Sequence, residues 1–308
     1  MLVFLIRRIG LAILTLFLLT IIVFALSNVL PGDVGRQILG PFAPQESVDE
    51  LNHRLGTDQP LVTQYLNRME AYAHLDLGES YATREPVSHV IGSTFLNSAK
   101  LAFLALLVTV PLGILGGIIA ALRRGSIWDR IIVAVSLGGS ALPEFVTASF
   151  LVVIFGLQLG WFPTLSSTNA DMGVGEQLYR LVLPIFALVI VYFGYIARMA
   201  RAGVIGAMEA DYTRTAFMKG LPRGVVIRRH VLRNALLPTI SVVATQTGYL
   251  FGGLLAVELI FNYDGLGRQL VRSALDKDLP VLPAGVLLIG VIYMLAMLAA
   301  DILISILN

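Results

Sequence analysis

Of 308 residues, 56% are hydrophobic and only 14% charged, and the mean hydropathy is +0.81. A soluble protein carries about 25% charged residues, so this chain lacks the polar surface to cover a globule, and disorder, collagen and coiled coil fall for the same reason. A net charge of +2 gives no electrostatic footprint for nucleic acid, and the absence of cysteine removes disulfides, thiolate metal sites and cysteine nucleophiles.

Six uncharged runs approach or exceed the roughly 20 residues a helix needs to cross a bilayer. They are Ile9–Leu30, Leu101–Leu122, Ile131–Trp161 (broken only by Glu144), Leu181–Ala197, Asn234–Val257 and Leu279–Ala300. Lipid forces each span to satisfy its own backbone, so each is expected to be a helix. The fold class is therefore an all-α integral membrane protein of six spans. Arg7 and Arg8 before the first run, and Ala25-Leu26-Ser27 within it, resemble a signal peptide. The run is longer than the usual 7–15 residues of a cleaved signal, which favours an uncleaved anchor.

Between the first two spans, Pro31–Lys100 is polar. Thr57 or Asp58 can cap a helix with Pro60 in its first turn, and Leu61, Tyr65, Met69 and Tyr72 follow at helical spacing. Val87, Val90, Ile91 and Phe95 read as an amphipathic helix lying at the interface. The expected division is residues 1–93, an anchor with an external helical segment, and 94–308, a five-span core.

With the N-terminus inside, the segments at 7–8, 123–130 and 198–233 hold thirteen Lys and Arg, against four in the two short outside loops. That asymmetry puts both termini in the cytoplasm. The outside loop Phe261–Asp278 is rich in Gly, Asn and Asp and reads as turns. Pro111, Pro143, Pro184, Pro238 and Pro283 lie in spans, beside close-packing glycines, and suit a bundle that rearranges.

The longest inside loop, at about 202–236, carries Met208-Glu209-Ala210-Asp211-Tyr212-Thr213-Arg214-Thr215-Ala216-Phe217-Met218-Lys219-Gly220-Leu221-Pro222. Glu209 and Asp211 suit a helix start and Lys219 a last turn. Gly220 can close the helix in the left-handed conformation, and Pro222 prevents its continuation. A basic helix through Arg223–Asn234 follows. The loop is expected to be a helix–turn–helix docking surface. Anionic lipid explains the arginines of the second helix, but not the capped first one.

Glu144, Glu258 and Asp301 lie within or at the ends of spans, and acids in a bilayer are functional candidates by default. Glu144, Glu258 and Gln246 are the substrate-path candidates, with a structural ion pair as the competing role for the acids. Asp301 reads as structural. No GxxxxGK[ST] loop occurs, so the chain is not expected to hydrolyse ATP itself. The scattered His53, His74, His89 and His230 give no metal site.

Asp211-Tyr212-Thr213-Arg214-Thr215-Ala216, then Lys219-Gly220 and His230-Val231-Leu232-Arg233-Asn234-Ala235-Leu236-Leu237-Pro238, resemble the coupling loop of ABC importer permeases of the dipeptide/oligopeptide/nickel branch. Leu30-Pro31-Gly32-Asp33, Asp76-Leu77-Gly78-Glu79-Ser80, Gly160-Trp161-Phe162-Pro163-Thr164 and Glu258 with Phe261-Asn262-Tyr263 are similar family markers, in order along nearly the whole chain. The resemblance implies a multi-pass permease of a bacterial inner membrane. Its partners are a second homologous permease, cytoplasmic ATPase subunits holding ATP-Mg, an external substrate-binding protein and membrane lipid, with no cofactor in this chain and no nucleic acid. Arg214, Thr215, Ala216, Lys219, Gly220 and Pro222 are the implied ATPase-coupling residues. Di- or oligopeptides lead as substrate, ahead of glutathione-like peptides, nickel and sugars. Arg214-Thr215-Ala216 stands where the general importer pattern has Glu-Ala-Ala, so that pattern's acidic contact does not carry over. Phe217 and Met218 read as an adaptation to one ATPase partner. A secondary transporter or channel using Glu144 is the rival reading.

Overall fold

The computed structural model describes residues 2–29, 33–167 and 172–307. Leu30, Pro31 and Gly32, which end the first apolar run and open one family marker, lie outside them. The regular elements among the described residues are helices, apart from one isolated bridge between Glu79 and Pro86. The chain divides into two compact units, residues 1–97 with 265–291 and residues 98–264 with 292–308.

In the first unit, α1 (Leu2–Val29) keeps most of its apolar surface exposed, as a lipid-facing helix does. Asp33 caps α2 (Val34–Leu39), its carboxylate accepting from the Arg36 amide at 2.9 Å, which holds the carboxyl below its usual range. Helices α3 (Gln45–Leu55) and α4 (Leu61–Ala73) follow. Neither Thr57 nor Asp58 caps α4. Pro60 holds the N-cap position, while the Asp58 carboxylate accepts from His53 Nδ1 at 2.8 Å and Thr57 bonds Asn52. Tyr65 joins α4 to α1 through the Thr20 hydroxyl at 2.8 Å and an edge-on contact with Phe24.

The segment read as an interfacial helix is instead the start of one continuous helix, α5 (Val87–Leu122). Its 36 residues span about 54 Å, well beyond the roughly 30 Å of a hydrocarbon core. Val87, Val90 and Ile91 face protein, packing on Leu266, Leu270, Val281 and Ala284. The loop read as turns contains a further helix, α13 (Leu266–Leu275), whose leucines sit in that core. Beside it, Asp278 is buried and accepts from the Ser80 hydroxyl and the Tyr81 amide.

The second unit is built on α8 (Val174–Glu209), packed against α6 (Ile127–Ala141), α7 (Glu144–Leu151) and α12 (Leu237–Ile260). A Cβ at Gly194 would sit 2.1 Å from the Ser136 carbonyl, and one at Gly139 would sit 2.3 Å from that of Ile190. Only glycine permits this α6–α8 approach, the small-residue packing used between membrane helices. Asp129 and Arg201 lock the same pair with two parallel bonds of 2.7 and 2.9 Å. Arg198 and Arg201 are thus part of α8 and bonded to α6.

Five described helices are long and apolar enough to cross a membrane: α1, α5, α8, α12 and α14 (Val281–Leu307). The third run is not one straight helix. It breaks by 105° between α6 and α7, which continues as a π-helical stretch, Val152–Gln158. Pro143 is the cause: it donates no amide hydrogen and pushes the residue before it to extended backbone, and Leu142 has φ −91° and ψ 132°. With the bent pair counted as one span, the described residues hold the six expected from sequence.

Candidate functional site

The bend at Pro143 determines where Glu144 goes. It lies at the break itself, as the first residue of α7, where a negative charge is favoured by the helix dipole. Its Oε1 accepts from the Tyr192 hydroxyl of α8 at 3.0 Å, and that hydroxyl also lies 3.0 Å from the Tyr249 carbonyl of α12. Glu144, Tyr192, Tyr195, Gln246 and Tyr249 line a cavity of 560 Å³ between α7, α8 and α12. A second cavity, of 360 Å³, shares Tyr195 and Gln246 with the first and adds Arg198 and Thr245. The structure thus brings Glu144 and Gln246 together. It does not bring Glu258 to them: that carboxylate is fully buried, with the Ser98 hydroxyl donating to Oε1.

Tyr192, Tyr195 and Arg198 are not singled out by sequence reasoning as site residues. Part of the signal was present, because Tyr192 and Tyr195, like Tyr195 and Arg198, stand three residues apart as neighbours on the helix surface, but only the packing of α7 and α12 makes that surface a cavity wall.

The second candidate surface follows α8. Its helix ends at Glu209, and Ala210 takes extended backbone (φ −72°, ψ 148°) before α9 (Asp211–Met218) starts. Asp211 opens α9 as expected. Glu209 instead belongs to the end of α8, where Arg124 pairs with it at 2.7 Å on the surface. Lys219 caps α9, Gly220 has φ +76°, and the Gly220 and Leu221 amides donate to the carbonyls of Phe217 and Ala216. Pro222 then opens α10 (Arg223–Val226), which passes through a π-helical stretch, Ile227–Val231, into α11 (Leu232–Ala235). Ala216, Val226, Val231 and Ala235 pack on Val204 and Ala207 of α8, forming a small core under the turn. The buried Thr213 hydroxyl donates to the Ala207 carbonyl at 2.6 Å.

This divides the predicted coupling residues. Arg214, Thr215, Lys219, Gly220 and Pro222 are exposed, whereas Ala216 is buried and serves the core. Tyr212, Met218, Leu221 and Val225 are exposed apolar residues of the same hairpin, Met218 by 74%. Clustered apolar side chains on a charged rim are what a protein-binding surface looks like.

Residues 113–308 match the family described as binding-protein-dependent transport system inner membrane component, and residues 1–102 match a family described as the N-terminal part of such a membrane component. The chain is 34% identical to the glutathione transport system permease protein GsiC of Shigella flexneri serotype 5b (strain 8401), over 100% of this chain and 98% of that protein. It is 36% identical to the di/tripeptide transport system permease protein DppB of Pseudomonas aeruginosa (strain UCBPP-PA14), again over 100% of this chain and 98% of the other. Among solved structures, a chain from inward-facing conformations of the MetNI methionine ABC transporter matches 71% of this chain and 96% of its own length. The TM-score is 0.58 at 14% identity, a likeness of fold.

Proposed function

The chain belongs to the family of binding-protein-dependent transport system inner membrane components, and from that premise we propose that it is one permease subunit of an ATP-driven importer of di- or oligopeptides. The observation that carries the substrate class is full-length similarity to permeases of the di/tripeptide and glutathione systems. Glutathione-like peptides are the nearest alternative; nickel and sugars follow.

In this reading a second, homologous permease completes the pore and an external binding protein delivers the peptide. Cytoplasmic ATPase subunits hold ATP-Mg, and this chain holds no cofactor. The chain sits in a bacterial plasma membrane with both termini in the cytoplasm, residues 1–93 forming anchor and external segment and 94–308 the permease core. Residues 202–236 dock on an ATPase. Arg214, Thr215 and Lys219 supply polar contacts, Met218 and Leu221 apolar ones, and Gly220 and Pro222 the shape of the turn. Glu144 and Gln246 belong to the substrate path; Glu258, buried against Ser98, holds the fold.

Glu144 has no ion-pair partner among the described residues, and this favours one rival, a secondary transporter with Glu144 as its ion site. Uptake into proteoliposomes separates the two. Import by the assembled complex should require ATP and the binding protein and should stop with vanadate. Uptake driven by an ion gradient without ATP overturns the proposal. Orientation is tested by single cysteines at Arg123 and Leu275, both exposed in a chain with no native cysteine. They should label from opposite sides.

A further inference from the structure

We propose that the two cavities beside α8 form one track that grips a zwitterionic peptide by both ends, Glu144 holding the terminal ammonium and Arg198 the terminal carboxylate. The inference rests on the peptide-import reading above and adds to it a recognition site within the permease.

The acid end is built for a cation. Among the described residues the Glu144 carboxylate has one donor, the Tyr192 hydroxyl, and no basic side chain pairs with it. A carboxylate at membrane depth without a counter-charge is costly to keep. Around it stand Tyr192, Tyr195 and Tyr249, whose ring faces attract ammonium, and the Gln246 carboxamide. Gly253 lets α12 close on this pair: a Cβ there would lie 2.7 Å from the Tyr192 hydroxyl and 3.0 Å from Glu144 Cγ.

The basic end mirrors it. Arg198 donates from Nη1 to the Ser140 hydroxyl at 2.9 Å and to the Ser136 carbonyl at 3.4 Å, and its guanidinium lies 5.3 Å from the centre of the Tyr195 ring. No carboxylate among the described residues pairs with it. Guanidinium carries five N–H donors in a fork that fits a carboxylate, and only Nη1 is engaged here.

Spacing joins the two ends. The cavities share Tyr195 and Gln246. Tyr192, which holds Glu144, and Arg198 are six residues apart on one helix, about 9 Å along its axis. An extended peptide advances about 3.3–3.6 Å per residue, so about three residues cover that distance. A free metal ion or a sugar lacks one or both end charges and has no reason to bridge this pair.

The test is direct binding of labelled tri-alanine, N-acetyl-tri-alanine and tri-alanine amide to the assembled importer without its binding protein. In the wild type, acetylation and amidation should each weaken binding about tenfold. In Glu144→Gln the acetylation penalty should vanish while the amidation penalty remains, and Arg198→Gln should do the reverse. This cross-over is the signature of paired contacts. Equal weakening of all three peptides in a variant that still assembles marks a structural role and overturns the track, as does the absence of tri-alanine binding. If a variant fails to assemble, the wild-type comparison decides alone: without a tenfold penalty for either blocked end, the proposal falls. ATP-dependent, vanadate-sensitive peptide uptake by the same complex is scored separately, so loss of the track leaves the import reading standing.

Discussion

The connections before and after α12 are built in opposite senses. The earlier one, α9 to α11, buries small residues such as Thr213 and Ala216 and leaves Tyr212, Met218 and Leu221 at the surface. The later one, α13, turns Leu266 and Leu270 into a core with Val87, Ile91 and Val281 and leaves Arg272 and Asp276 outside. Both are short helices in a Gly- and Pro-marked stretch, so composition does not separate them. What separates them is where the large apolar side chains go. Burying a leucine stabilises by about 1.5–3 kcal/mol, so α13 is held in place by its own chain. The apolar tip of α9 stays at the surface, and in the proposed reading an ATPase subunit covers it.

That contrast ranks the outcomes of substitution. The largest loss of stability should come from Leu270→Ala, at about 2–5 kcal/mol for a buried leucine truncated to alanine. Thermal unfolding of the purified protein in detergent should show a clear fall in Tm. Asp278→Ala should come next, at about 1.5–3 kcal/mol in all, the range for hydrogen bonding to a charged group, because Ser80 and Tyr81 lose their shared acceptor. Faster proteolysis of the 79–86 segment would report it, and an unchanged digestion pattern would refute the role given to Asp278. Gly220→Val should cost about 1–3 kcal/mol, through its φ of +76° alone, since a Cβ there meets no neighbour. The variant should insert normally but lose substrate-stimulated ATPase activity in the complex. Normal transport by this variant, together with lost membrane assembly after Arg228 and Arg229 are changed to Gln, would make the hairpin a lipid anchor instead. Met218→Ala should shift stability by no more than about 0.5 kcal/mol. Its effect should appear only when ATPase subunits are titrated, as weaker assembly.

The six spans were legible because lipid allows a spanning backbone almost nothing but helix, so apolar length alone decides. The close of α9 was legible because glycine and proline have narrow backbone meanings, and Gly220 and Pro222 sit where those meanings require. Elsewhere the physics left the sequence ambiguous. Val87, Val90 and Ile91 look the same whether they face lipid or leucines, since both surroundings are apolar, and only the fold shows that they face leucines. The stripe of Leu266 and Leu270 is half hidden by the glycines, Asn262 and Asp264 around it, which carry the stronger local turn signal. Ala210 breaks α8 from α9 with no side-chain cap, so nothing in its chemistry announces the boundary, and Glu209 reads as a start when it is an end. Of the residues lining the two cavities, Glu144 stood out as an acid in an apolar run. The tyrosines and Arg198 gain their meaning only when three helices converge on them.

The length of α8 has a mechanical consequence. From Val174 to Glu209 it is one unbroken rod, about 54 Å long, despite Pro184 near one end. Tyr192 and Arg198 ride near its middle, and Val204 and Ala207 seat the hairpin near its far end. A rigid rod turns small angles into displacement. A tilt of about 10° pivoting at the Val174 end carries the hairpin end by about 9 Å and the middle of the rod by about 5 Å. In the reading proposed above, motion imposed on the hairpin therefore reaches the cavity beside Tyr192 as a lever stroke of about half its amplitude.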